Sequence, residues 1–219
     1  MSKSIDMHTY KKEHATDDVL TILQKHPEGQ PDLDWFSRCI DFHTYPAPGI
    51  LIGVYMVDYA LTLLNAKPTE KLYGISETQK CLPDALQVIS HCTIGNNRLR
   101  IIPTGRFAMS MSRLSEEPIV EGVRVGMDPS TLKNTPALQA WFTNSGEFDK
   151  KTMGKQLTSE ILNLGRGMLF WEKVRISIIP KVKWTTAICS MCGEPVPSYL
   201  CEGNICAGCG SLKYFERVE

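Results

Sequence analysis

The 219-residue sequence has no net charge, no apolar run long enough to cross a bilayer, no internal repeat and no low-complexity tract. Each absence excludes something. Lys plus Arg and Asp plus Glu both number 24, so no field of the whole chain draws it to nucleic acid or to an anionic membrane. The longest apolar stretch, Ile50 to Leu64, runs for 15 residues and contains Asp58. A span needs about 20 apolar residues, so this stretch predicts a buried helix. The first 14 residues lack the apolar centre of a secretory signal. Together these features predict a soluble, cytoplasmic protein with no membrane partner. Hydrophobic residues at 42% and charged residues at 22% are ordinary for a packed domain. A chain of this length buries roughly 70% of its unfolded surface and needs no disulfide to fold.

What the sequence has in excess is cysteine. Of eight, Cys189, Cys192, Cys201, Cys206 and Cys209 fall within 21 residues. Reduced cytosolic thiols in such density point to metal or thiol chemistry. Cys189-x-x-Cys192 and Cys206-x-x-Cys209 are separated by 13 residues, and a glycine follows each pair. Each pair can bend as a knuckle around one ion, and four thiolates in a tetrahedron suit Zn2+. The spacing therefore predicts one structural zinc per chain on Cys189, Cys192, Cys206 and Cys209, with Cys201 a spare thiol. A redox Cys-x-x-Cys and an iron–sulfur cluster are the competing readings. A short helix over Ser211 to Glu216 would make the tail a treble clef; without it the tail is a zinc ribbon. Only Lys213 and Arg217 are basic near this finger, which makes nucleic acid an unlikely partner.

The rest of the chain predicts an α+β domain, with helices packed on a mainly antiparallel sheet. Helical spacing is expected over Ala15 to Lys25, Pro31 to Phe42, the buried stretch to Leu64, Leu82 to Ser90, Pro136 to Phe142 and Phe148 to Leu164. Strands are expected over Lys71 to Ile75, Arg98 to Ile102, Arg106 to Ser112, Ile119 to Val125 and Val174 to Val182. Pro103-Thr104-Gly105 predicts a hairpin joining the second and third of these. Three segments follow: an N-terminal extension over 1–30, the α+β core over 31–184 and the four-cysteine finger over 185–219.

Within the core, Cys81 stands where a helix begins. Helix N-termini carry partial positive charge, which predicts a lowered thiol pKa. Asp84 and Gln87 share a face of that helix, and Cys92 and Thr93 follow its end. Read blandly, Cys92 is a small buried hydrophobe, Gln87 is a surface residue and His43 favours the dipole of the helix it ends. Composition and spacing give a candidate cleft here and no reaction.

The stretches Phe42-His43-x-x-x-x-Pro48-Gly49-x-x-x-Gly53-x-x-Met56 and Cys81-x-x-Asp84-Ala85-x-Gln87-x-x-x-x-Cys92-Thr93-x-Gly95 resemble the FmdE family of formylmethanofuran dehydrogenase proteins. That family is associated with the molybdenum or tungsten enzyme that fixes carbon dioxide onto methanofuran in methanogenesis. The resemblance implies an α+β core, a homodimer, and in some members a C-terminal treble-clef zinc finger. It places His43, Cys81 and Asp84 as catalytic or metal-binding candidates in one cleft, with Tyr45, Gln87, Cys92 and Thr93 lining it. Where the family usually reads His-Gly-His-x-Cys-Pro-Gly, this chain reads His43-Thr44-Tyr45-Pro46-Ala47-Pro48-Gly49. Tyr45 and Ala47 remove a nitrogen and a sulfur donor, so any second metal, in the cleft, is expected to be held weakly. Two functions are in view: an accessory subunit docking to larger formylmethanofuran dehydrogenase subunits, or a stand-alone thiol- or metal-dependent enzyme using Cys81 and His43.

Overall fold

The computed structural model describes residues 17–25, 30–178 and 183–216. The chain divides into two compact units, Met1–Ile178 and Ile179–Glu219.

The first unit is α+β. Helix α1 covers residues 17–25 and seats Val19 and Leu23 in the main core. Helix α2, Leu33–His43, is opened by Asp32, whose carboxylate accepts the Asp34 amide at 2.9 Å. It ends on Thr44 in the left-handed region, φ 69°. Helix α3, Pro48–Leu64, begins with proline at its first position, where the missing N–H costs nothing. Its twelve buried residues, from Gly49 to Leu61, leave almost no polar face. A helix apolar all round must be covered all round. Here the cover comes from within the chain: α2, the later helices α4 and α6, and strands of the sheet all pack on it. The apolarity of α3, and of Met109 and Met111, which are also fully buried, therefore gives no argument for a second copy of the chain.

The remaining elements are β1 Leu72–Ser76, α4 Leu82–Ser90, β2 Leu99–Ile101, β3 Ala108–Arg113, β4 Ile119–Met127, α5 Pro136–Phe142, α6 Lys150–Leu164 and β5 Leu169–Ser177. The sheet order is β2-β1-β3-β4-β5. Three of its four pairings are antiparallel. The fourth corrects the sequence expectation. β2 and β3 do not form a hairpin: β2 lies parallel to β1, with Gly74 opposite Leu99, and β3 lies antiparallel on the other side of β1, with Gly74 opposite Met111. The Pro103–Gly105 loop instead reaches across the end of β1, where the Gly105 amide donates to the Glu77 carbonyl at 3.2 Å. Glu77 is buried and paired with Arg124 at 2.5 Å and Arg106 at 2.6 Å, which fixes that end of the sheet.

Strand β5 begins at Leu169, earlier than the expected Val174; positions 179–182 of the expected strand lie outside the described residues. Its register places Phe170 over Gly126 and Ile176 beside Gly122. At Gly122 a methyl would sit 2.5 Å from the Met111 carbonyl oxygen, so β3 and β5 close over β4 only because that position has no side chain.

The second unit holds two small antiparallel ribbons. β6 Thr186–Ile188 pairs with β7 Pro195–Pro197, and β8 Cys201–Glu202 pairs with β9 Ile205–Cys206. No helix forms over Ser211 to Glu216 among the described residues, so of the two predicted forms this is the zinc-ribbon type. Arg217 lies outside the described residues.

Candidate functional site

The tail site is built by two turns. In the first, Gly193 takes φ 75°, its amide donates to the Cys189 carbonyl at 2.9 Å, and the Cys189 amide donates to the Glu194 carbonyl at 3.0 Å. In the second, the amides of Cys209 and Gly210 both donate to the Cys206 carbonyl at 3.0 Å. Gly193 alone of the two following glycines uses a conformation that a side chain resists. The Cys206 amide donates to the Cys189 sulfur at 3.3 Å and ties the turns together. The sulfurs of Cys189, Cys192, Cys206 and Cys209 all lie within 4.8 Å of one another.

Four thiolates this close repel one another unless they share a dication. Amide donation, from Cys206 first and then Cys192, lowers the Cys189 thiol to about 6. The neighbouring sulfurs, Cys206 first, push Cys209 up to about 12. One sulfur is poised to ionise and the next resists, until a cation offsets the accumulating charge. The donor set fits a soft tetrahedral ion. Among the described residues of this unit only Cys189 and Cys206 are buried. A cysteine cluster able to hold a metal, rather than an apolar core, is what draws such a unit together.

The candidate residues of the first unit lie just past the end of β1. β1, α4 and β2 form a βαβ unit, and on its other side β1 meets the antiparallel β3. Cys81 stands in the connection from β1 to α4, immediately before the helix. Its backbone, at φ 48° and ψ −55°, makes a γ-turn in which the Leu82 amide donates to the Lys80 carbonyl. This conformation is rare and strained for a residue with a side chain, at about 1–3 kcal/mol. It delivers the thiol at the start of α4, facing the second residue of α3: a methyl on Gly49 would sit 2.9 Å from both the Cys81 Cβ and Sγ, and 3.4 Å from Phe107.

Asp84, in the first turn of α4, reaches His43 at the end of α2, with Nδ1 to Oδ2 at 2.6 Å. An ionised carboxylate only accepts, so Nδ1 is the donor in this contact, which fixes the orientation of the ring. His43 and Asp84 are thus joined from two sequence regions, the end of α2 and the first turn of α4, and Cys81 stands at the start of the latter.

Three expectations change here. The Cys81 thiol is raised, not lowered: burial is the largest cause and the Asp84 charge adds to it, against a smaller opposing effect of Lys80. Cys92 does not line the cleft; it is fully buried near the start of β1, donates to the Leu72 carbonyl at 3.3 Å, and packs on Gly74. Thr93 serves its own loop, where its hydroxyl accepts the Asn96 amide at 3.1 Å. Gln87 is half-buried one turn further along α4 from Asp84. Tyr45 is covered by a residue that its sequence position did not reveal: the Lys150 ammonium sits over its ring, 4.3 Å from the centroid. Among the described residues, the four tail cysteines are the one group of three or more such donors close enough to share an ion. His43, Cys81 and Asp84 do not form one.

Because a raised pKa means less thiolate, Cys81 should react with iodoacetamide at pH 8 more slowly than an unhindered cysteine. Cys39, raised to about 12 chiefly by burial, and Cys92, raised for the same first cause, should be protected in the native protein. Mass mapping of the native chain checks this; Cys81 labelling faster than an ordinary thiol would contradict it.

Comparison with known proteins falls on this same region. The family model described as FmdE, molybdenum formylmethanofuran dehydrogenase operon, matches residues 42–177, from the end of α2 to the end of β5. The crystal structure of an FmdE-like protein of the tungsten formylmethanofuran dehydrogenase type, from Syntrophus aciditrophicus, is 32% identical and superposes with a TM-score of 0.71, over 83% of this chain and 94% of that one. A protein from Archaeoglobus fulgidus, named as a probable S-adenosyl-L-methionine-binding protein, is 26% identical over 191 residues. This chain spans about half of that relative, 49% of its length. With its matched segment running through the cleft and the whole sheet, the chain belongs to the FmdE family.

Proposed function

We propose that this chain is a zinc-binding accessory protein of a formylmethanofuran dehydrogenase, acting in carbon dioxide fixation in methanogenesis. The family match over residues 42–177 carries the reading, since it includes His43, Cys81 and Asp84 and the whole sheet. The FmdE-like name of the Syntrophus aciditrophicus relative supports it. In this reading Cys189, Cys192, Cys206 and Cys209 hold the zinc. A closed four-thiolate site leaves no position for substrate, so the ion's contribution is structural. The tail also exposes Tyr199, Leu212, Tyr214 and Phe215, apolar surface suited to a protein partner. A cytoplasmic location and the homodimer implied by the resemblance belong to the same proposal, with an interface elsewhere than α3.

The stand-alone enzyme is the second reading. The strained turn at Cys81 favours it, because strain of that kind gathers at functional positions. The raised Cys81 thiol disfavours it, because an activated nucleophile needs the opposite shift.

The test mixes the tagged, zinc-loaded full chain with purified formylmethanofuran dehydrogenase catalytic subunits on a sizing column. Co-elution at micromolar concentration is the expected result. Separate elution at every ratio, with the zinc still bound, would contradict the accessory role.

A further inference from the structure

The fifth tail cysteine is left unused by the zinc site, yet the fold places it against one of the ligands. Cys201 and Cys206 are directly opposite each other in the β8–β9 ribbon. The Ala207 amide donates to the Leu200 carbonyl at 2.8 Å, just outside this pair. That bond marks Cys201 and Cys206 as a non-hydrogen-bonded antiparallel pair, the kind whose side chains approach most closely, at a Cα separation of about 4.5 Å. A disulfide accepts Cα separations of about 4.4–6.8 Å. The Cys206 amide meanwhile donates to the Cys189 sulfur, so Cys206 is at once a zinc ligand and the neighbour of a spare thiol.

Cys206 is 8% exposed and Cys201 is half-buried, and both line a groove of about 380 Å³ together with Tyr199, Leu200, Ile205 and Leu212. With Cys206 held as a metal ligand, a small oxidant entering that groove meets Cys201 as the thiol that no metal protects.

We infer that Cys201 is a redox trigger for the tail: oxidised by a peroxide, it captures Cys206 as a disulfide and releases the zinc. The step rests on the proposed zinc occupancy of the four cysteines. Hydrogen peroxide oxidises the Cys201 thiol to a sulfenic acid and is itself reduced, releasing one water. The Cys206 thiolate then leaves the metal and attacks the Cys201 sulfur, forming the S–S bond and expelling hydroxide. Each sulfur gives up one electron, and the two peroxide oxygens leave as water and hydroxide. Zinc is left with three thiolates and dissociates. The unit has no apolar core of its own, so it loses its fold, and with it the apolar surface of Tyr199 and Leu212. A thiol reductant restores both cysteines and allows zinc to return.

The experiment uses the full chain. Its zinc content is measured first; hydrogen peroxide is then added in the presence of a chromogenic zinc chelator, and the disulfides are mapped by mass spectrometry. The expected result is release of the bound zinc in step with a Cys201–Cys206 disulfide, and release slowed about tenfold or more in both Cys201→Ser and Cys201→Ala. Release as fast in both variants as in the parent chain, or a first disulfide joining Cys189 to Cys192, would overturn the trigger. A chain that never contains zinc would overturn the zinc reading instead. The disulfide map would then still decide the Cys201–Cys206 pairing, a first disulfide elsewhere counting against it.

Discussion

Cys206→Ser is expected to empty the tail of metal and unfold residues 183–216, while the first unit stays folded. Cys206 is one of only two buried residues in that unit among those described, and its amide and carbonyl bond to Cys189, Cys209 and Gly210. The serine hydroxyl is a poor replacement for a thiolate, and a four-coordinate site that loses one ligand stops being closed. A structural zinc contributes on the order of 10 kcal/mol to folding, more than so small an apolar interior can replace. The first unit has its own core around α3. Proteolysis should clip the variant after about residue 178 and leave a stable α+β fragment, with metal analysis finding no zinc. Cys201→Ser should keep the metal and the resistant tail. A fully resistant, metal-free Cys206→Ser chain would refute the dependence.

Gly49→Val is expected to damage the cleft and the core together. Gly49 is the second residue of α3 and touches Cys81, whose own backbone is already strained. A Cβ there would meet two Cys81 atoms at 2.9 Å, closer than packed atoms tolerate, and Phe107 stands behind. Neither helix can move freely, because α3 and α4 also approach closely at Gly53, where an added methyl would sit 3.0 Å from the Ala85 Cβ. Overpacking of this kind costs about 1–3 kcal/mol, a fall in melting temperature of roughly 2–4 °C per kcal/mol for a unit this size. The displaced Cys81 side chain should become more accessible, so alkylation of it should speed up while Cys39 and Cys92 stay protected. An unchanged melting temperature with unchanged Cys81 labelling would show that the close approach of α3 and α4 is not as described.

Most of the helices were legible because their signals are local. The apolar run of α3, proline at its first position and Pro83 near the start of α4 all speak for themselves. Leu82–Ser90 and Pro136–Phe142 fall where spacing predicted them. Strand pairing is not local. Alternation shows that Arg98 to Ile102 and Arg106 to Ser112 are extended, but not that β1 inserts between them. Glu77, just past the end of β1, is a buried carboxylate whose arginine partners come from later loops and strands, a contact that no local pattern announces. The first residues of β5 were missed because Gly165 and Gly167 look like a break; the first of them closes α6, and the strand starts right after the tight turn that both share.

The site divides in the same way. Four cysteines at matched spacing announce the tail without any structure. The pairing of His43 with Asp84 joins residues far apart in sequence; local spacing does not encode it, and only the family resemblance set the two in one cleft. At Cys81 the sequence rule for a helix terminus points to a lowered thiol, whereas burial, and then the Asp84 carboxylate, raise it.

That the metal-binding capacity of this chain resides in its tail, and not in its cleft, is tested most directly by metal analysis with X-ray absorption on the dialysed full chain. The account predicts one zinc per chain, coordinated by four sulfurs at about 2.3 Å. A second metal surviving dialysis, or a zinc whose shell includes nitrogen or oxygen from His43 or Asp84, would contradict it.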